Sequence, residues 1–166
     1  MGPGSSTRRV AKYVQENRKM TSEAVKADTI RAVLGKVFQL YVQTHCYHWN
    51  VEGPHFRSLH EMFEAQYKSL NDSMDSVAER LRVLGVKAPQ SATELFALSN
   101  GTQPVEASTA DEMLLSQCSE FWGLIETLRG AIQVMASVGD EGAVGVFTEI
   151  LEWSEKEHWM MSVSKG

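Results

Sequence analysis

The chain has 166 residues, of which 43% are hydrophobic and 22% are charged, and these values are ordinary for one globular domain and argue against disorder. No stretch approaches the roughly 18 uninterrupted apolar residues of a membrane span, and two cysteines form neither a disulfide framework nor a paired metal motif. We therefore expect a cytoplasmic protein. Residues 1–26 hold six basic and two acidic residues, whereas the remainder holds ten basic and 19 acidic residues. The acidic body is expected to repel DNA and attract cations.

The first segment predicts a leader followed by a long helix. We expect residues 1–21 to be a cloning remnant and a basic N-terminal leader, and residues 22–166 to be the folded domain. Apolar residues recur every three or four positions from about residue 22 to 49, which predicts an amphipathic helix. Gly53 and Pro54 interrupt the pattern and indicate a turn.

Three further long helices follow in the sequence. A second helix is predicted over residues 55–84, and a connection over residues 86–108 contains a possible short helix near residues 93–98. Hydroxyl and acidic residues from position 108 cap a third helix that ends near residue 137, and a fourth covers residues 140–162. This order predicts an all-α four-helix bundle with a short extra helix in the long crossover between the second and third long helices.

One side of the second helix carries residues of metal-ligand type: His60, Glu64, Asp75 and Glu79. At about 100° per residue all four fall within an arc of roughly 100°, beside the apolar stripe rather than on it. The four side chains are therefore predicted to face away from their own bundle.

The spacing of these residues predicts a site shared between two chains. His60 and Asp75 are about 22 Å apart along a helix, which metal bonds of about 2.0–2.2 Å cannot bridge. The positions are symmetric about the point between residues 69 and 70, so that two antiparallel copies would place His60 opposite Glu79 and Glu64 opposite Asp75. Two-fold interfaces are self-complementary in this way, and each dimer would carry two equivalent sites.

The ligand types favour iron. Imidazole and carboxylate groups suit Fe(II), carboxylates favour Fe(III), and the lack of a thiolate disfavours structural zinc. A tight turn could bring His48, at the end of the first helix, near His60 as a second imidazole. Acid pairs with this spacing also occur on solvated helix faces, so spacing alone suggests a metal site without proving it.

Three segments of residues 28–162 resemble signatures of the Dps family, the starvation-induced mini-ferritins. They are the run around His48-Trp49-Asn50-Val51 in residues 40–63, the run Asp75-Ser76-Val77-Ala78-Glu79-Arg80-Leu81, and Glu155-Lys156 followed by Trp159-Met160. The resemblance implies a ferritin-like bundle that assembles from two-fold dimers into a dodecameric cage around an iron mineral, in the bacterial cytoplasm or nucleoid.

The resemblance also implies the chemistry and its residues. It implies dinuclear ferroxidase sites between subunits that oxidise Fe(II) to Fe(III), with hydrogen peroxide preferred over dioxygen. Trp49 resembles the aromatic residue beside the site whose fluorescence reports metal binding. The implied residues, both catalytic and metal-binding, are His48, His60 and Glu64 of one subunit with Asp75 and Glu79 of the other.

Two further family traits give expectations here. Family members contact DNA through a flexible lysine-rich tail, whereas this leader interleaves basic with apolar residues, which predicts a short helix instead. Any non-specific contact with DNA is expected to come from this leader. Acidic pores that admit iron would use the start of the fourth helix, where Asp140, Glu141 and Glu149 are candidates. Solvated surface accounts equally well for those three acids.

Two alternatives remain at this stage. An ordinary ferritin would hold both metals inside one bundle with two Glu-x-x-His motifs; Glu155 and His158 form one, but Glu52 and His55 enclose Gly and Pro in a loop. The other alternative is a non-enzymatic DNA-coating shell with a weak metal site.

Overall fold

The computed structural model describes the backbone of residues 5–99, 101 and 105–164, and the side chains from residue 15 onward except 17, 19 and 20. No strand occurs within these residues, and the all-α bundle with a short helix in its crossover is confirmed. The helices are α1 (Ser5–Asn50), α2 (Phe56–Val83), α3 (Ala92–Leu98), α4 (Ala110–Ser137) and α5 (Glu141–Val163).

Helix α1 begins much earlier than the apolar pattern predicts. Its backbone is helical from Ser5 to Asn50 rather than from about residue 22, so the leader continues α1. Residues 5–34 contain no glycine or proline and are rich in strong helix formers, whereas the described side chains of Gln15, Glu16 and Arg18 are exposed. When no side of a helix is buried, its apolar residues need not recur every three or four positions, so the sequence contains no pattern that predicts it. Residues 1–4, part of the predicted cloning remnant, lie outside the described residues.

The direction of the helices explains the long crossover. Hydrogen bonds from Gln43 to Gln117 and from Lys36 to Glu120 show that α1 and α4 are antiparallel. Helix α2 also packs on α1 and runs antiparallel to it, so α2 and α4 point in the same direction on opposite corners. The connection must therefore run along the length of the bundle, and α3 packs on α1 along the way. The two helices approach most closely at Gly35, where a side-chain Cβ would collide with the Leu98 carbonyl oxygen.

Side-chain caps begin the last two helices. Thr109 accepts from the Glu112 backbone N–H at 3.2 Å while the Glu112 carboxylate accepts from the Thr109 N–H, which is the capping box expected there. Asp140 caps α5 by accepting from the Ala143 N–H at 2.9 Å and pairs with Arg80 at 2.8 Å. Because Asp140 is buried and engaged in this way, it is not the free surface acid that a pore lining requires.

The centre of the bundle contains a polar layer within an apolar core. Phe63, Phe121 and Phe147 are fully buried. Between Phe63 at the turn end and the other two phenylalanines, Gln117 of α4 donates to Thr44 of α1 at 2.6 Å and to Gln66 of α2 at 3.1 Å, and it accepts from Gln43 at 3.2 Å. Gln66 donates in turn to Glu157 of α5 at 2.9 Å, so hydrogen bonds join all four long helices.

Of the described helices, none is long and apolar enough to cross a membrane.

Candidate metal centre

The turn between α1 and α2 brings His48 and His60 into direct contact. The His48 Nδ1 lies 2.9 Å from the His60 carbonyl oxygen, and the His60 Nδ1 lies 2.8 Å from the His48 carbonyl oxygen. Their rings stack with centroids 3.8 Å apart and an interplanar angle of 21°. The reciprocal pairing sets the orientation of both rings.

This pairing determines which nitrogen can bind a metal. A carbonyl oxygen only accepts hydrogen bonds, so each neutral imidazole carries its proton on Nδ1 and keeps the lone pair of Nε2 free. Metal-binding histidines in proteins are commonly held by such a bond from the second ring nitrogen. Two imidazoles are therefore already prepared to act as ligands through Nε2.

Aromatic rings surround the two histidines. Phe56 stacks on His60 with centroids 5.0 Å apart, and Tyr67 approaches His48 edge-on at 5.2 Å. His45 stacks between Tyr67 and the indole of Trp49 at 3.9 Å and 4.5 Å, and its burial, with the charge of His48, lowers its pKa. Tyr67 was not among the sequence candidates, although its spacing of seven residues from His60 places it on the same helix face. Trp49 is 67% exposed.

Glu64 lies one turn beyond His60 on α2. Its carboxylate contacts the ammonium of Lys68, one further turn along the helix. The hydrogen bond and charge of Lys68 lower the pKa of Glu64, and the charges of His48 and His60 lower it further. The carboxylate is therefore ionised at neutral pH. We call His48, His60 and Glu64 the histidine cluster.

Asp75 and Glu79, here called the acidic pair, lie farther along α2. Both are exposed, and neither forms an ion pair with any described residue. Asp75 borders an open cleft of about 630 Å³ between α2 and the crossover, whereas the neighbouring Arg80 turns inward to Asp140. The structure thus brings His48 and His60 into contact and leaves Asp75 about 22 Å from His60 along the helix.

The bundle interior does not provide the metal site of the ordinary ferritin alternative. Its central polar positions hold amides that bond to one another, as described above. Glu155 pairs with Arg129 at 2.8 Å, and His158 lies against Trp122 with centroids 5.3 Å apart. Within the described part of the chain, no group of three or more histidine, cysteine or acidic residues could hold a metal ion.

Comparisons with known proteins agree with this architecture. The ferritin-like domain family matches residues 27–163. The DNA protection during starvation protein of Brevibacillus brevis is 34% identical over 124 residues, which cover 74% of this chain and 82% of that protein. Antigen TpF1 of Treponema pallidum is 31% identical over 142 residues, which cover 85% of this chain and 80% of that protein. The crystal structure of TpF1 superposes with a TM-score of 0.81 at 30% identity, covering 87% of this chain and 93% of that one. The chain therefore belongs to the Dps family of ferritin-like proteins.

Proposed function

We propose that this protein oxidises Fe(II) to Fe(III) at dinuclear sites between two antiparallel copies of the chain, and stores the product as mineral inside a dodecameric cage of two-fold dimers. Membership of a ferritin-like family supports iron storage and ferroxidase chemistry in general. The observation that carries the proposal is the reciprocal pairing of His48 and His60, which leaves two Nε2 atoms free beside the ionised Glu64.

The acidic pair supports a shared site. Asp75 and Glu79 are exposed on α2, and their positions mirror those of Glu64 and His60 about the middle of the helix. An antiparallel second copy would place its acidic pair against the first copy's histidine cluster. Because a two-fold operation repeats every contact, the same dimer would contain a second, identical site.

The residues would divide the chemistry as follows. The imidazoles and carboxylates would bind two Fe(II) ions, the substrate, with Glu79 as one of the ligands. Hydrogen peroxide, the preferred oxidant over dioxygen, accepts one electron from each Fe(II), its O–O bond breaks, and two protons complete two water molecules. Because both electrons are supplied together, no hydroxyl radical is released. Fe(III) then moves to acidic surfaces inside the cage. The removal of Fe(II) and peroxide by this reaction would protect DNA from oxidative damage.

Replacing His48 tests this function. We expect His48→Ala to reduce the initial rate of ferric absorbance after addition of Fe(II) and peroxide by at least about tenfold, because one imidazole ligand and the ring stacked on the other are lost together. His55→Ala is the matched control, since His55 is an exposed histidine of the same turn whose side chain does not cap α2. Equal rates for the two variants would contradict the proposal, and so would unchanged Trp49 fluorescence when metal is added to the wild type.

The basic leader supports a second role, non-specific DNA binding in the bacterial cytoplasm or nucleoid. Six of the eight charged residues in positions 1–26 are basic, and residues 5–26 form the first part of α1. Without ferroxidase activity, the protein would instead be a DNA-coating shell with a weak metal site.

Retardation of DNA in a gel tests this role. We expect Arg8→Gln/Arg9→Gln to weaken retardation and to flatten its dependence on salt, because phosphate contacts release counterions. Arg82→Gln/Lys87→Gln removes the same charge from exposed positions of the body and should leave retardation near that of the wild type. Equal weakening by both double variants would argue against a role for the leader.

A further inference from the structure

One charged residue outside the proposed ligand set already forms an ion pair with a member of it. The ammonium of Lys68 contacts the Glu64 carboxylate, whereas the rings of His48 and His60 contact backbone carbonyls. Across the described residues, this is the only ion pair that includes any of the five candidate ligands. A cation that approaches Glu64 therefore meets a cation already in place.

We infer that Lys68 lowers the metal affinity of the histidine cluster: its ammonium occupies the Glu64 carboxylate until an incoming metal ion displaces it, and returns when the ion leaves. This inference rests on the proposed function, because it assigns a regulatory residue to the same site. Lys68 acts through Glu64 and does not itself bind metal, since an ammonium has no lone pair to donate.

The exposure of the pair makes the exchange possible. Within a single chain, the side chain of Lys68 is 62% exposed and that of Glu64 is 38% exposed, and ion pairs of this kind are weak. Lys68 lies beside the midpoint of α2, so the second copy of the proposed dimer would cover part of this surface. The ammonium can still move away from Glu64 on its flexible four-carbon stem, so it weakens metal binding without preventing it. While it remains near Glu64 it also repels a divalent ion.

The same helix offers a matched control. Arg57 Nε lies 2.9 Å from Glu61 Oε1, again four residues apart along α2, and both side chains are exposed. Glu61 is not a candidate ligand. Arg57→Gln therefore removes one positive charge and one helical ion pair close to the histidine cluster, without freeing a ligand.

Calorimetric titration of the assembled protein with Co(II) tests the inference, because Co(II) accepts the same nitrogen and oxygen ligands as Fe(II). Relative to the wild type, we expect Lys68→Gln to bind Co(II) about two- to fivefold more tightly, the range set by an exposed ion pair. Lys68→Arg keeps the charge and should match the wild type, as should Arg57→Gln. The gain from Lys68→Gln should shrink as salt is raised from about 50 mM to about 500 mM.

The outcomes separate this inference from the function on which it rests. If His60→Ala abolishes Co(II) binding but Lys68→Gln binds Co(II) no more tightly than the wild type, the proposed role of Lys68 is contradicted while the proposed metal site is supported. Equal tightening by Lys68→Gln and Arg57→Gln would also overturn the role, since general charge would explain it. If the wild type binds Co(II) no better than His60→Ala does, both the site and the role of Lys68 are wrong.

Discussion

Mixing His60→Ala and Asp75→Ala subunits is expected to restore iron oxidation that neither variant shows alone. Each variant by itself damages both sites of a dimer, because every site would take His60 from one chain and Asp75 from the other. In a mixed dimer one site collects both defects and the second site is intact. Half of randomly formed dimers are mixed, so the expected rate is about one quarter of the wild-type rate. The two variants are refolded together or co-expressed, and ferric absorbance is measured after addition of peroxide.

The control mixture combines two defects in the same cluster. His60→Ala mixed with His48→Ala should stay inactive, because each site of the mixed dimer still lacks one histidine. Recovery in the first mixture and not in the second would require that the histidine cluster and the acidic pair come from different chains. If neither mixture recovers although both form dimers, the proposed two-fold sharing of the site is wrong.

The second large effect is expected on stability, in the buried polar layer. Gln117→Leu should lower the free energy of unfolding by roughly 2–4 kcal/mol, because the amides of Gln43 and Gln66 lose a partner without access to water. Gln117 is fully buried and bonds to Gln43, Thr44 and Gln66. Unfolding in urea, followed by circular dichroism at one fixed protein concentration, measures the change.

Ser154→Ala provides the comparison for Gln117→Leu. Ser154 is also fully buried on a core-facing side of its helix, but its hydroxyl donates only to the Ile150 carbonyl oxygen within α5 at 2.7 Å. Removing it leaves no donor without a partner, so a loss below about 1 kcal/mol is expected. Equal losses for the two variants would mean that the connected amide layer adds nothing beyond ordinary burial.

Helix positions followed from local sequence wherever a helix has a buried side. Helix α2 was predicted over residues 55–84 and runs from Phe56 to Val83, because an apolar stripe and a glycine stop lie in the sequence itself. Gly85 indeed has a φ of +76°, which favours glycine. The start of α1 could not be found in this way, because the described side chains of its first part are exposed and carry no stripe.

The candidate metal site was likewise predictable from the sequence only in part. The arc of His60, Glu64, Asp75 and Glu79 and its symmetry about the helix midpoint follow from 3.6 residues per turn, and that these residues form a shared iron site stays a prediction. Asp140 shows the limit of such reasoning, since an acid at a helix start can be a buried cap as easily as a pore lining.

Sequence by itself determined the helices apart from the first part of α1, their order, and which side chains lie on the same face of α2, because these depend on residues a few positions apart. Tertiary structure alone decided that the rings of His48 and His60 meet and present Nε2, and that amides occupy the bundle centre. It also showed the Lys68 ammonium on Glu64. Ring orientation and hydrogen-bond partners depend on where a turn places two helices in space, and helical periodicity carries no information about that.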